Sequence, residues 1–589
     1  MGELIKLGEY SKSNNLPSTI SARKTKTLPR IITIPPYYYD TVEGCLYLRR
    51  KHKGEISDIR LCNFFSIITH EILKNSGLSD ERYYVIETMI KNTVLPTITV
   101  HADKFKSLCW LSQIGVDAII EPGSGKHDHI RHAIQIASHG YTIKINKHTE
   151  TGWIDINGVP VYLTSSGGIT ANQVENDITV ELPMDLNRYN IPLSPINEKE
   201  AIETSFSFLD IGNRSVTLPL LAFLYLAPLT SLLEPKPNFS GYLFGRSGSF
   251  KTTIAMLLLS HFGDFNGVDG LCNFEDTANK IEDVGFILKD VLMILDDYHP
   301  SINSGKADAM EIIAQRIIRS FSNRTGRGRL TDKERRGPRG LILVTAEEQL
   351  NIQSAIARLM LVNVTKTDIN IDALTLLQGK THLLPNAMSS YIIWVSKNIE
   401  EIKQAFKDEF VQQRQISAEL GTHMKLAEQV AFLLFSLKIF LLWLLEKQVI
   451  EKNTAINIQA DGSRIFKEMA KQQHNRIEDE DPVKLFMDIL EDIITQGKVS
   501  LNHRTNKDEF IGNGEQLGWY DTDYYYFMPE TLWCIIKHRG HFPVKKHTLY
   551  TMLDKHGIIV TGRDKNTVVK RIYGEIKRVL TVKRTSLFG

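Results

Sequence analysis

The sequence predicts an α/β protein centred on a parallel sheet with helices on both faces. Four short, wholly apolar runs (242–244, 291–295, 341–344 and 359–362) are separated by longer stretches. Strands covered on both faces need such unbroken runs, whereas half-exposed strands alternate. Between the second and third runs, Met310, Ile313, Ala314, Ile317, Ile318 and Phe321 recur at helical spacing, which predicts an amphipathic helix over 306–322. The first run leads into a glycine-rich loop and then a helix over 252–261. That strand–loop–helix order is what phosphate binding by backbone N–H groups requires.

The remaining elements follow in chain order. At 589 residues the chain exceeds one hydrophobic core, so about three or four domains are expected. Residues 1–29, rich in Ser, Thr, Asn and Lys, read as a flexible lead. Residues 30–200 read as an N-terminal α/β domain, with strands at 142–145 and 160–163 and helical spacing over 63–74. The sheet-bearing core spans 201–384. A helical lid and linker follow over 385–475, with 385–447 all helical. The charged stretch 476–482 reads as a linker opening a C-terminal region, 476–589, of mixed helix and strand.

Composition narrows the class. Apolar residues make up 42% and charged residues 23%, which is globular rather than disordered. The five cysteines (45, 62, 109, 272 and 534) form no C-x-x-C pair, which excludes a Cys-based zinc ribbon and suits the cytoplasm. The N-terminus has no apolar signal core. The apolar stretches 218–233, with Pro219 and Pro228, and 431–445, with Lys438, fall short of the ~20 residues that cross a bilayer. They read as buried core helices, and no membrane partner is expected.

The loop Gly245-Arg-Ser-Gly-Ser-Phe-Lys-Thr252 carries the chemistry. Gly245, Ser247, Gly248, Ser249, Phe250 and Thr253 would bind the nucleotide phosphates, Lys251 would reach the terminal ones, and Thr252 would ligate Mg²⁺. The usual Gly before the Lys is here Phe250. Downstream, the run 291–295 ends in Asp296-Asp297, 45 residues after Lys251. Asp296 would hold Mg²⁺ through water, and Asp297 would polarise the attacking water as general base. An Asp is one methylene shorter than the Glu often found in that place. The strand 341–344 leads to Thr345, a candidate contact to the γ-phosphate of ATP or to water, against the bland reading of a strand cap. Arg358, just before the last strand, would complete a neighbouring subunit's site, against the bland reading of a salt-bridged surface arginine. A second Gly-rich stretch, Gly123-Ser-Gly-Lys126, has His127 where a hydroxyl belongs and is rejected. His127, His129 and His132 have metal-like spacing without an evident fourth ligand, and are read as surface histidines.

The formal net charge of +2 conceals two basic regions. Residues 324–339 hold seven Lys or Arg against two acids. They read as a hairpin with Lys333 near its tip, in which Arg327, Arg329, Lys333, Arg335 and Arg336 would grip nucleic-acid phosphates. The last 53 residues hold 13 Lys or Arg against three acids. There a helix over 548–556, a second over 565–578 carrying Lys570, Arg571, Lys577 and Arg578, and a hairpin of 516–521 with 524–527 suggest a winged helix on duplex DNA. The rest of the chain sums to −13.

At these motifs, together with Thr277-Ala-Asn-Lys-Ile-Glu282, Thr151-Gly-Trp153 and the apolar lead-in 218–233, the sequence resembles the AAA+ ATPases of bacterial mobile elements. It is most similar to the helicases related to minichromosome maintenance proteins carried by staphylococcal cassette chromosome elements, over most of 35–589. Those proteins tolerate a non-Gly residue at the Phe250 position, carry a hairpin where 324–339 stands, and place an arginine finger at the Arg358 position. The resemblance implies a hexameric ring, using ATP and Mg²⁺, that translocates on single-stranded DNA through a central pore for replication of a mobile element. Asp297 and Thr345 stand where the family has Glu and Asn. A lid cation is implied, with Arg414, His423 and Lys425 as candidates. Two other readings remain open: a DNA-binding initiator or regulatory ATPase that does not unwind, and a basic scaffold with a degenerate nucleotide site.

Overall fold

The computed structural model describes residues 31–587 apart from 35–36, 53–54, 92, 173–177, 266–271, 300–303, 327–335, 349–355, 419–423, 480, 540–541, 543 and 563–565. The lead 1–29 and most of the basic stretch at 327–335 therefore lie outside the described residues. The chain divides into two compact units, one of residues up to 75 and 79–147, the other of 76–78 and 148 onward.

In the first unit, β1 (Ile31–Ile34), β2 (Tyr37–Val42), β3 (Cys45–His52) and β4 (Glu55–Cys62) form an antiparallel meander. β5 (Phe64–Asn75) pairs antiparallel with β6 (Asp80–Ile90), which also pairs with β7 (Ile98–His101). Helix α1 (Lys126–Ser138) buries Ile130, Ala133 and Ile134 in the same core as Phe64 and Phe65. β8 (Ile143–His148) agrees with the expected strand at 142–145. The helix expected over 63–74 is instead β5. A register shift between Ile68 and His70 interrupts its alternation, so Phe64, Phe65, Ile68 and Ile72 are buried at intervals that mimic a helical stripe. Three isoleucines and a threonine favour the strand.

The second unit opens with an antiparallel sheet of β9 (Gly152–Ile156), β10 (Val159–Thr164) and β11 (Gly167–Ile169). Its Trp153 and Tyr162 belong to the main core. Trp153 Nε1 donates to the Pro228 carbonyl at 2.7 Å, and the Tyr162 hydroxyl to the Asp290 carbonyl at 2.7 Å. The buried Asp290 carboxyl accepts from Ser231 N at 2.8 Å and Trp153 N at 3.0 Å, and burial raises its pKa.

Helices α2 (Glu198–Phe206) and α3 (Arg214–Leu226) precede the parallel sheet. Its elements are β12 (Ser240–Phe244), α4 (Lys251–Leu259), β13 (Cys272–Asn273), α5 (Ala278–Ile287), β14 (Leu292–Tyr298), α6 (Ser304–Asn323), β15 (Leu341–Ala346) and β16 (Leu359–Asn363). The spatial order is β13–β14–β15–β12–β16, all parallel. All four runs expected as buried strands are strands. The reversal of strand order beside β12 places the loop after it at a switch point, where open α/β sheets bind ligands.

The region expected as a helical lid and linker holds α7 (Leu384–Lys397), α8 (Ile399–Ala418), α9 (Met424–Glu446) and α10 (Lys452–Asp479). The apolar stretch expected at 431–445 lies within α9, which at 23 residues is long enough to cross a membrane. Its most apolar window is 78% buried, packed against α3, α8 and α10, so it is a core helix. The expected linker at 476–482 is largely helical. α10 runs through Asp479, and Asp481 caps α11 (Pro482–Thr495), accepting from Val483 N at 2.7 Å and Lys484 N at 3.0 Å.

The C-terminal region has its own core, built on Phe486, Leu490, Leu517, Phe527, Leu549 and Leu580. β17 (Val499–His503), β18 (Glu515–Tyr520), β19 (Tyr524–Phe527), α12 (Pro529–His538) and α13 (Lys546–Lys555) include the expected hairpin and the helix expected near 548–556. The helix expected over 565–578 is instead an antiparallel hairpin of β20 (Val568–Ile572) and β21 (Glu575–Lys583). Tyr573 and Gly574, at φ +47° and +83°, form its two-residue turn. Two successive left-handed residues suit a hairpin and stop a helix.

Candidate phosphate site and nucleic-acid surfaces

The loop after β12 is shaped by two glycines and one strained phenylalanine. A Cβ on Gly245 would lie 2.0 Å from the Val364 carbonyl oxygen, and Gly248 sits at φ +79°. Phe250, the N-cap of α4, takes φ +65°, which costs an L-residue about 1 kcal/mol. Its ring packs partly buried against the main core, which offsets that cost. Phe250 thus takes the left-handed backbone conformation that a glycine would adopt without strain. Lys251 Nζ donates to the carbonyls of Gly245 at 2.7 Å and Arg246 at 3.2 Å. A phosphate oxygen can replace these acceptors. Ser249 Oγ is buried with no hydrogen-bond partner among the described residues, Ser247 is exposed and Thr253 half-buried. A cleft of about 570 Å³ opens here between 244–249, Glu347–Glu348 and 363–366.

The sheet brings the acid pair to this loop. Thr252 Oγ1 donates to Asp296 Oδ1 at 3.2 Å. Two hard oxygen donors on neighbouring elements, open to solvent, suit Mg²⁺, which keeps several waters and phosphate oxygens as ligands. Thr345, 1% exposed, joins both acids: its hydroxyl donates to Asp296 Oδ1 and accepts the Asp297 N–H at 3.0 Å. Asp297 stands at φ +66°, where the β14–β15 register shifts between Leu295 and Tyr298. Its carboxylate meets His299, a neighbour that motif spacing did not single out.

Arg358 lies at the other end of the sheet. Ser240 pairs with Leu359 and Phe244 with Asn363, so about five residues, or ~17 Å at 3.3 Å each, separate it from its own loop. Burial and the nearby Arg319 lower its pKa. Lys425 on α9 is lowered likewise, by burial and then by Arg358. Of the three candidate cations from the helical region, Arg414 pairs with Glu428 at 3.4 Å, Lys425 stands near Arg358, and His423 lies outside the described residues.

The basic stretch is only partly a surface. Arg327, Arg329, Lys333 and Arg335 lie outside the described residues, but both ends of the stretch are placed. Cβ atoms on Gly326 and Gly337 would meet the carbonyls of Arg336 and Arg324, at 1.9 and 2.3 Å, so the ends run side by side. Arg324 donates to the Pro237 carbonyl at 3.0 and 2.8 Å, and burial brings its pKa down to about 10. Arg339 is ion-paired with buried Glu150 and lies 3.8 Å from the centre of the Phe286 ring. Arg336 is exposed. Two of the seven cations in the stretch therefore hold the fold together.

In the C-terminal hairpin, Val569 pairs with Arg578 and Arg571 with Ile576. These four share the exposed face, Val569 at 53% and Ile576 at 71%. On the other face, Lys577 lies 5.0 Å from the Trp519 ring and Lys570 5.9 Å from that of Tyr526. The aromatic platform was not identified from sequence, although 516–521 and 524–527 carry it.

The rejected Gly-rich stretch has a structural use: Lys126 Nζ donates to the Arg60 carbonyl at 3.0 Å. His129 and His132 converge on the buried Tyr39 hydroxyl at 3.2 and 2.8 Å. Among the described residues no group of three His, Cys, Asp or Glu is arranged to hold a metal ion, and all five cysteines are free thiols.

The fold and loop define an α/β protein with a five-stranded parallel sheet and a phosphate-type loop at its switch point. It shares its fold with a solved structure described as "SCCmec type IV Cch - active helicase": TM-score 0.54, 13% identity, covering 94% of this chain and 98% of that one. The C-terminal region of NrS-1 is matched over 85% of this chain at 10% identity, with a TM-score of 0.27 that carries no argument. No protein-family model matches the chain, and no curated protein matches its sequence.

Proposed function

We propose that this chain is an ATP-dependent DNA helicase of the AAA+ class that replicates a mobile element as a ring, with a hexamer as the expected size. The observation that carries this reading is the bond from Thr252, next to Lys251 in the loop, to Asp296, with Thr345 joining Asp296 and Asp297, at one end of a parallel sheet. The fold shared with a protein described as an active helicase supports the DNA motor over other uses of such a site.

On this reading Gly245–Ser249 wrap the phosphates, and Lys251 moves from the loop carbonyls onto them. Thr252 and Asp296 hold Mg²⁺, which when bound neutralises charge on the β- and γ-phosphates. Arg358 cannot reach its own loop and serves the neighbouring subunit's nucleotide. The stretch 327–336 grips single-stranded DNA in the pore, and the outward face of the β20–β21 hairpin meets duplex phosphates.

Unwinding of a forked duplex tests the claim. The unaltered chain should separate strands with ATP, and Lys251→Ala should abolish this. DNA-stimulated hydrolysis without unwinding would leave a regulatory ATPase, and equal hydrolysis by Lys251→Ala would leave a scaffold.

A further inference from the structure

The acid pair has a third member. His299 Nδ1 lies 3.0 Å from Asp297 Oδ2 and 3.0 Å from the carbonyl oxygen of the same residue. Both atoms only accept, so Nδ1 carries a hydrogen whether the ring is neutral or charged. In the neutral ring the lone pair is then fixed on Nε2. An aspartate that holds Nδ1–H while Nε2 stays open is the arrangement by which hydrolases orient an imidazole base.

The backbone supports this use of Asp297. Its φ of +66° is strained for a residue with a side chain. The conformation is held by the Thr345 hydroxyl on the Asp297 N–H. Its carboxylate thus serves His299 while Asp296 serves Thr252 and Thr345. His299, at 53%, and Asp297, at 62%, are both open to solvent. Glu347 N donates to the Tyr298 carbonyl at 3.1 Å, which ties the chain between Asp297 and His299 to the end of β15.

We propose that His299 is the proton acceptor of the hydrolysis reaction and that Asp297 is its positioning residue. This inference rests on the ATPase reading above. The water oxygen bonds to the γ-phosphorus as the bond to the β,γ-bridging oxygen breaks, and ADP leaves with that electron pair. The water proton passes to His299 Nε2, the imidazolium is held by Asp297, and the proton then goes to solvent. The ring supplies the reach that an Asp in place of Glu lacks.

The experiment uses the full chain, with DNA-stimulated ATP hydrolysis followed at varied ATP and affinity read separately with a fluorescent ATP analogue. His299→Ala and His299→Gln should lower kcat on the order of a hundredfold or more, the usual contribution of a positioned base, while KM and analogue affinity change less than about twofold. Added imidazole should restore part of the rate to His299→Ala and none to Lys251→Ala. Asp297→Glu should be as slow as His299→Ala, because a longer acid displaces the ring. Wild-type or faster hydrolysis by both His299 variants, or full activity in Asp297→Glu, would overturn the proposal. If Lys251→Ala hydrolyses like the unaltered chain, the ATPase reading itself fails, a result distinct from failure of the dyad alone.

Discussion

In the basic stretch 324–339 the two terminal arginines turn inward, Arg324 onto the Pro237 carbonyl and Arg339 onto Glu150. In the β20–β21 hairpin Arg571 and Arg578 share the outward face, and Lys570 and Lys577 lie on aromatic rings. Both regions are strongly positive by count. Only part of either charge is free to meet a polyanion, and it is the backbone that decides which part. Alternation along a strand sends neighbouring cations to opposite faces, and arginines at the ends of the internal stretch are drawn into the core that anchors it.

The largest effect that tests this contrast is Arg339→Ala. Glu150 is 1% exposed, so removing its partner leaves a buried uncompensated charge. A loss of about 3 kcal/mol or more in chemical denaturation is expected. Unchanged stability with weakened DNA binding would put Arg339 on the surface and break the comparison. Next comes the double replacement of Arg571 and Arg578 by Ala. Duplex affinity should fall, and the slope of log affinity against log salt should flatten by about two, one for each phosphate that is no longer neutralised. The smallest effect is expected from Lys570→Ala with Lys577→Ala, where the salt slope should change by less than about one. If the lysine pair flattened the slope as much as the arginine pair, the two faces of the hairpin would not differ.

Much of the core was legible because parallel strands covered on both faces must be apolar throughout, and 242–244, 291–295, 341–344 and 359–362 could be little else. The phosphate loop was legible because Gly245 and Gly248 answer to backbone constraints. What was missed has local causes. The bulge in β5 spaces buried residues like a helix, and Tyr573-Gly574 hides a two-residue turn inside a basic run that scans as helical. The charged stretch at 476–482 is largely helical because Arg476 and Glu478 lie on an exposed side of the helix and Asp481 caps the next element. His299 was missed because its partnership with Asp297 depends on a left-handed φ and a register shift, neither of which is written in residue spacing.

The span of sheet between Arg358 and the phosphate loop has a consequence for kinetics. On the proposed reading a lone chain carries both components of a reaction centre that it cannot itself unite. Turnover per chain should then climb with protein concentration and collapse on dilution. Subunits bearing Arg358→Ala, mixed with subunits bearing Lys251→Ala, should recover activity that neither has alone. Each such boundary between an intact loop and an intact arginine would work as a unit, which makes the smallest active entity a pair of neighbours.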